Sequence, residues 1–139
     1  MKILICGLPG SGKTTLARPL AKLLGAIHFN ADDIRGQYDD WDFSDEGRER
    51  QAWRMRHLAD GAVAAGKPVV TDFIAPIEKF RQIYNPDFLV WMDTIEKGRF
   101  DDTNALFEPP GKVDYHVEGW FNDTDEQLFK VVKRYMERM

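Results

Sequence analysis

The sequence predicts an α/β fold, a five-stranded parallel sheet with helices on both faces, and three observations carry that expectation. Short continuous apolar runs recur along the chain, helical patterns lie between them, and a glycine-rich turn joins the first run to the first helix. Ile3, Leu4, Ile5 and Cys6, ended by Gly7, show no polar alternation and read as a strand covered on both faces. Residues 14–24 follow with Leu16, Leu20, Leu23 and Leu24 at helical spacing and Gly25 placed as a C-cap. Pro19 lies inside that segment and predicts a kink where one backbone hydrogen bond is lost. Residues 26–29 make the second strand. Ser44, Asp45 and Glu46 open the longest helix, which runs to about Ala65 and ends at Gly66, Lys67 and Pro68 before a third strand over residues 68–71. Residues 88–92 form the fourth strand and residues 113–117 a weaker fifth. Thr124 with Gln127 has the form of a capping box, and Leu128, Val131, Val132 and Tyr135 make a stripe that docks on the sheet. Residues 94–112 have no period and read as a loop or lid.

Composition bounds the function. With 139 residues, 43% hydrophobic and 30% charged, residues 1–139 are expected to form a single domain. No apolar run nears the roughly 20 residues a membrane span needs, and the amino-terminal stretch is too short for a signal segment, so no membrane partner is expected. Nineteen basic against 23 acidic side chains give a net charge of −4, which argues against a general nucleic-acid backbone binder. The lone Cys6 has no partner for an internal disulfide and reads as a packed thiol, which fits a reducing, cytoplasmic compartment. His28, His57 and His116 lack the spacing of a metal pair. His28 reads as partly buried packing, His116 as an edge-strand residue, and Trp41, Trp53, Trp91 and Trp120 as core or interface anchors. A homo-oligomer is compatible with all of this.

The chemistry is carried by residues 7–14, Gly-Leu-Pro-Gly-Ser-Gly-Lys-Thr, which satisfy the phosphate-binding pattern G-x-x-x-x-G-K-[ST] directly after a strand and at the opening of a helix. The pattern arises by accident in roughly 0.5% of chains of this length, before that context is required. Gly7, Leu8, Pro9, Gly10, Ser11, Gly12, Lys13, Thr14 and Thr15 would cradle the triphosphate of ATP, with successive main-chain N–H groups of the loop pointing at phosphate oxygens, aided by the helix N-terminus. Lys13 would reach the β- and γ-phosphates and Thr14 would offer its hydroxyl to Mg²⁺. The expected fold is therefore a three-layer P-loop kinase fold. No guanine-specifying N-K-x-D is present, and the chain has no room for the helical domain of an oligomeric motor, which leaves a compact kinase.

Asp32 and Asp33 follow the second strand, at the sheet end where ligands bind in parallel α/β folds. Asp32 is the candidate to take the acceptor hydroxyl's proton or hold the hydrated Mg²⁺; the competing reading of both acids is helix capping. Asp72, closing the third strand, is either a second metal-linked carboxylate or a loop cap.

Gly-Leu-Pro-Gly-Ser-Gly-Lys-Thr-Thr-Leu-Ala at 7–17, Asp32-Asp33-Ile34-Arg35, Phe43-Ser44-Asp45-Glu46-Gly47-Arg48 and Phe73-Ile74-Ala75-Pro76 together resemble the adenylylsulfate (APS) kinases, in order over residues 1–93. The resemblance implies transfer of the γ-phosphoryl of ATP to the 3′-hydroxyl of adenylyl sulfate, with Mg²⁺, in sulfate assimilation. It implies that Asp32 lies beside the acceptor hydroxyl, with Asp33 where the family usually has Asn, and that Arg35 and Arg48 hold the phosphosulfate group. Phe43 would stack on the acceptor's adenine, and Phe73, Ile74 and Ala75 would line its pocket, Ala75 replacing a serine. Gln51 stands where the family usually has an acceptor-contacting asparagine. The lid is shorter than the family's, and Phe100 or Phe107 would supply its aromatic.

Two alternatives accompany that reading. Asn30 to Arg35 with Val70-Thr71-Asp72 also resembles phage-type polynucleotide 5′-kinases, in which the substrate is a nucleic-acid end. A nucleotide-binding sensor without phosphotransfer is the third.

Overall fold

The computed structural model describes residues 1–96 and 105–139. The expected α/β architecture is present: β1 (Lys2–Gly7), α1 (Lys13–Leu24), β2 (Ile27–Asn30), α2 (Ala31–Tyr38), α3 (Asp45–Ala64), β3 (Val69–Asp72), α4 (Glu78–Tyr84), β4 (Phe88–Met92), β5 (Tyr115–Val117) and α5 (Thr124–Glu137). The strands lie in the order β2-β3-β1-β4-β5, and every pairing is parallel. None of the described helices is long and apolar enough to cross a membrane.

β1 occupies the centre because its residues are apolar on both sides. Ile3 and Ile5 pack with Leu16, Leu20, Leu128 and Val132 of α1 and α5, while Leu4 and Cys6 pack with Met55, Ala59 and Phe80 of α3 and α4. Each buried Leu, Ile, Val, Met or Phe among them contributes about 1.5–3 kcal/mol from apolar area removed from water. Burial pushes the Cys6 thiol up to about 11, as expected of a packed thiol rather than a nucleophile.

α1 runs from Lys13 to Leu24 with Pro19 inside it, and the exposed Thr15 is the residue whose carbonyl loses its helical donor to the proline. Three expectations are corrected. The cap at the start of α5 is shifted by one residue. Thr124 is the first helical residue, its hydroxyl bonding the main chain of Phe121, and Gln127 donates to Asp123 at 2.9 Å. The sequence pattern missed α4, whose seven residues are too few to show a period. The fifth strand is also short, because Asp114 turns its carboxylate onto the Leu89 amide at 2.8 Å.

Ser44 caps α3 as expected, accepting from the Gly47 amide at 3.1 Å. Ser44→Ala is expected to lower stability by about 1 kcal/mol, read as a shift in urea midpoint at unchanged slope.

Candidate active site

All five strands run the same way, so Gly7, Asn30, Asp72 and Met92 come to one edge of the sheet. A cavity of about 740 Å³ opens there, with the phosphate loop as one wall. The loop's path depends on glycine at two places. A Cβ on Gly7 would lie 2.6 Å from the Met92 carbonyl oxygen, and Gly12, at φ 96°, would set its Cβ 2.7 Å from the Trp120 indole nitrogen. The Ser11 hydroxyl is buried with no hydrogen-bond partner among the described residues. Lys13 Nζ donates to the Leu8 carbonyl at 3.0 Å. Pro9, Gly10, Gly12, Lys13, Thr14 and Thr15 line the cavity, whereas Gly7, Leu8 and Ser11 form the buried back of the loop.

A polar cluster anchors the loop to the sheet. Thr14 Oγ1 donates to Asp72 Oδ1 at 2.8 Å, and Asn30 Nδ2 donates to both Thr14 Oγ1 at 3.0 Å and Asp72 Oδ1 at 2.9 Å. His28 Nε2 bonds the other oxygen, Asp72 Oδ2. Asp72 thus faces the phosphate-loop hydroxyl and is no loop cap. The capping expected of the aspartates falls to Asn30, whose Oδ1 accepts from the Asp33 amide at 2.9 Å. Asp32 lines the cavity from the first turn of α2, while Asp33 is exposed outside its lining.

Beyond Asp32 the cavity widens into a compartment of arginine and aromatic residues. Arg35 is buried, its Nη1 donating to the carbonyls of Asp40 at 2.9 Å and Asp42 at 3.2 Å, with its guanidinium 4.4 Å from the Phe43 ring centroid. Burial pushes the Arg35 guanidinium down, and the Asp40 charge opposes that shift. Arg48 Nε donates to the Phe43 carbonyl at 2.8 Å and also lies over that ring. Gln51 lines the cavity, but its amide is engaged by the protein: Nε2 donates to the Ala31 carbonyl at 3.0 Å, and Oε1 accepts from Arg54 at 2.7 Å. Phe73, Ile74 and Ala75 form the opposite wall. Ala75 holds a left-handed φ of 43°, its carbonyl accepting from the buried Arg81 Nε at 2.9 Å.

Several residues at this site escaped the sequence reading. Trp41, expected as an anchor, lines the cavity; its position in an acidic run without a hydrophobic period was the available signal. His28 is a polar-cluster member rather than packing, and its spacing of two from Asn30 on a strand was the sign that both share a face. Trp120 packs on Gly12, a contact between distant segments with no local signature. Of the two lid aromatics, Phe100 lies outside the described residues, and Phe107 stacks on Arg81 at 5.3 Å without lining the cavity. The described ends of residues 94–112 are tied down on either side of the cavity. Thr94 Oγ1 donates to the Ser11 carbonyl at 2.7 Å, and the Glu108 amide donates to the Pro76 carbonyl at 2.6 Å.

The turn carrying Trp41 and Phe43 is held by charge. Asp40 accepts from Arg50 at 2.9 Å and Arg54 at 3.0 Å, and Asp42 accepts from the Ser44 amide at 2.9 Å and Arg50 at 3.2 Å. Gly47 lets this turn close, since a Cβ there would lie 2.2 Å from the Asp42 carbonyl oxygen. The arginine hydrogen bonds hold Asp40 far below the usual carboxylate range, and Ser44 with Arg50 holds Asp42 down. A carboxylate depressed in the folded state stabilises above its unfolded value and loses that contribution as the pH falls. Stability is therefore expected to drop progressively below about pH 4. Arg50→Ala should weaken the fold at neutral pH and flatten that acid dependence in urea titrations; equal slopes would remove this network from the account.

Comparison with known proteins agrees with the geometry. The family described as an AAA domain matches residues 3–75, more than half of the chain. An adenylyl-sulfate kinase of Klebsiella pneumoniae is 30% identical over 144 residues, covering 81% of this chain and 72% of that protein. The Mycobacterium tuberculosis APS kinase, solved in complex with AMPPNP and APS, shares the fold at a TM-score of 0.78 and 21% identity, with 97% of this chain and 96% of that chain covered. A gluconokinase from Sinorhizobium meliloti shares it at a TM-score of 0.69 and 17% identity, with 99% and 94% covered. A phosphate loop on the central strand of a β2-β3-β1-β4-β5 sheet, together with these sequence matches, means that the chain belongs to the P-loop small-molecule kinases of adenylyl-sulfate kinase type, a family that binds ATP.

Proposed function

We propose that residues 1–139 act as one kinase domain that transfers the γ-phosphoryl group of ATP to the 3′-hydroxyl of adenylyl sulfate, giving PAPS. The observation that carries this reading is a single cavity joining the phosphate loop, through Asp32, to a compartment of Arg35, Arg48, Trp41 and Phe43. Two guanidiniums suit a doubly anionic phosphosulfate, and two aromatic rings suit a purine. Trp41 supplies on the α2–α3 connection an aromatic surface that the shortened lid was expected to provide.

The residues present also suit Mg²⁺. Thr14 Oγ1 and Asp72 Oδ1 are hard oxygen donors 2.8 Å apart. Mg²⁺ keeps several waters and takes further ligands from phosphate oxygens, so it needs few ligands from the protein itself. Thr14 and Asp72, with Asp32 on the acceptor side, would hold it; when bound, it would neutralise charge on the β- and γ-phosphates.

The chain's own part is positioning. Main-chain amides within residues 10–15 grip the triphosphate. Lys13 exchanges the Leu8 carbonyl for phosphate oxygens and offsets charge on the transferred group. The acceptor oxygen forms a bond to the γ-phosphorus as the bridge to ADP breaks, and Asp32 takes the hydroxyl proton.

Lys13→Ala is expected to abolish turnover with an unchanged circular dichroism spectrum. Asp32→Asn should lower kcat by roughly 10²–10⁴-fold with little change in KM for ATP, and an equal change in both would make Asp32 a binding residue. A coupled ADP-release assay separates the acceptors: saturable turnover is expected with adenylyl sulfate and not with 5′-hydroxyl oligonucleotide, gluconate or shikimate. Turnover with one of the latter would replace the acceptor, and ATP binding without turnover would make the protein a sensor.

A further inference from the structure

We propose that His28 is a positioning residue for the nucleotide-metal centre: its imidazole fixes the plane of the Asp72 carboxylate, and through it the orientation of the Thr14 hydroxyl. The inference rests on the ATP and Mg²⁺ part of the function proposed above and is independent of the acceptor.

β2 and β3 run parallel in the register His28 opposite Val70 and Asn30 opposite Asp72, so His28 and Asn30, two residues apart, share one face of an edge strand. Val70 on that face belongs to the cluster packed beneath α1, the helix whose first turn carries Thr14. Asp72 is only 2% exposed, so its carboxylate depends on protein donors. Thr14 Oγ1 and Asn30 Nδ2 both serve Oδ1, and His28 Nε2 serves Oδ2. Two donors on Oδ1 restrain the carboxylate from one side only. A donor on the second oxygen adds an opposing restraint on rotation about the Cβ–Cγ bond and helps to keep Oδ1 against Thr14. Without His28 a buried carboxylate oxygen would be orphaned, and the group would turn to share the donors of its neighbour. His28 makes no contact with the cavity itself; it acts through Asp72.

The test measures metal binding apart from turnover, using the full chain, ADP and Mn²⁺ followed by electron paramagnetic resonance. In His28→Leu, the Mn²⁺ affinity of the ADP complex is expected to fall roughly 10- to 100-fold, while metal-free ADP binding is unchanged. His28→Gln, which restores an N–H donor, should recover most of the loss. On an Asp72→Asn background, His28→Leu should cost little more, because the two act as one unit. Should the leucine variant fail to fold, His28→Asn, whose amide is too short to reach Oδ2, carries the same comparison. Unchanged Mn²⁺ affinity, an equal fall in metal-free ADP affinity, or additive losses in the double variant would each overturn the proposal. Absence of ADP binding to the wild-type protein would instead overturn the phosphotransfer reading beneath it.

Discussion

A strand with apolar side chains on both faces has to be covered on both faces, and the whole molecule is arranged around that requirement in β1. Ile3 and Ile5 need one helical layer, Leu4 and Cys6 need another, and parallel neighbours joined by crossing helices supply both. The consequence for chemistry is geometric. Parallel strands end together, so the phosphate loop after β1 meets the carboxyl ends of β2 and β3, and the polar residues there share one cavity.

Those strand ends carry groups that are costly to bury. Asp72 sits at 2% exposure and is compatible with that position only because Thr14, Asn30 and His28 all serve it. The same bonds fasten the first turn of α1 to the sheet, so the site's polar centre and the loop's anchorage are one structure. Ser11 is the exception, its hydroxyl buried beneath the loop without a partner among the described residues. A loop shaped around a phosphate tolerates such a group where an ordinary turn would exclude it.

The arginine and aromatic compartment is built differently, from long-range ties rather than sheet geometry. Arg50 and Arg54 reach from α3 to the aspartates of the preceding turn and hold Trp41 and Phe43 at the cavity. On the opposite wall, Arg81 bonds the carbonyls of Ala75 and Glu108, joining the strained turn at residue 75 to the segment returning from the lid. Arg35 and Arg48 each hold a main-chain carbonyl near Phe43, so both are oriented before any ligand arrives. Such preorganisation lowers the ordering cost of binding an anion.

The sequence by itself determined the layers and the phosphate loop, because both are local. Apolar runs, helical spacing, the Ser44 cap and the glycines of residues 7–12 act through neighbours in the chain. It was right about which segments become strands and wrong about α4 and the α5 cap, where one or two hydrogen bonds decide and no period shows. Among site residues, Lys13, Thr14, Asp32, Arg35, Phe43, Arg48 and Phe73 were legible from motifs and stand at the cavity, while Asp33 carries the same motif and faces outward. The grouping of His28 with Asp72, of Trp120 with Gly12 and of Arg81 with Glu108 was settled only in three dimensions. Each pair lies more than 20 residues apart, and a contact made by strand register or helix packing leaves no trace in the residues adjacent to either partner.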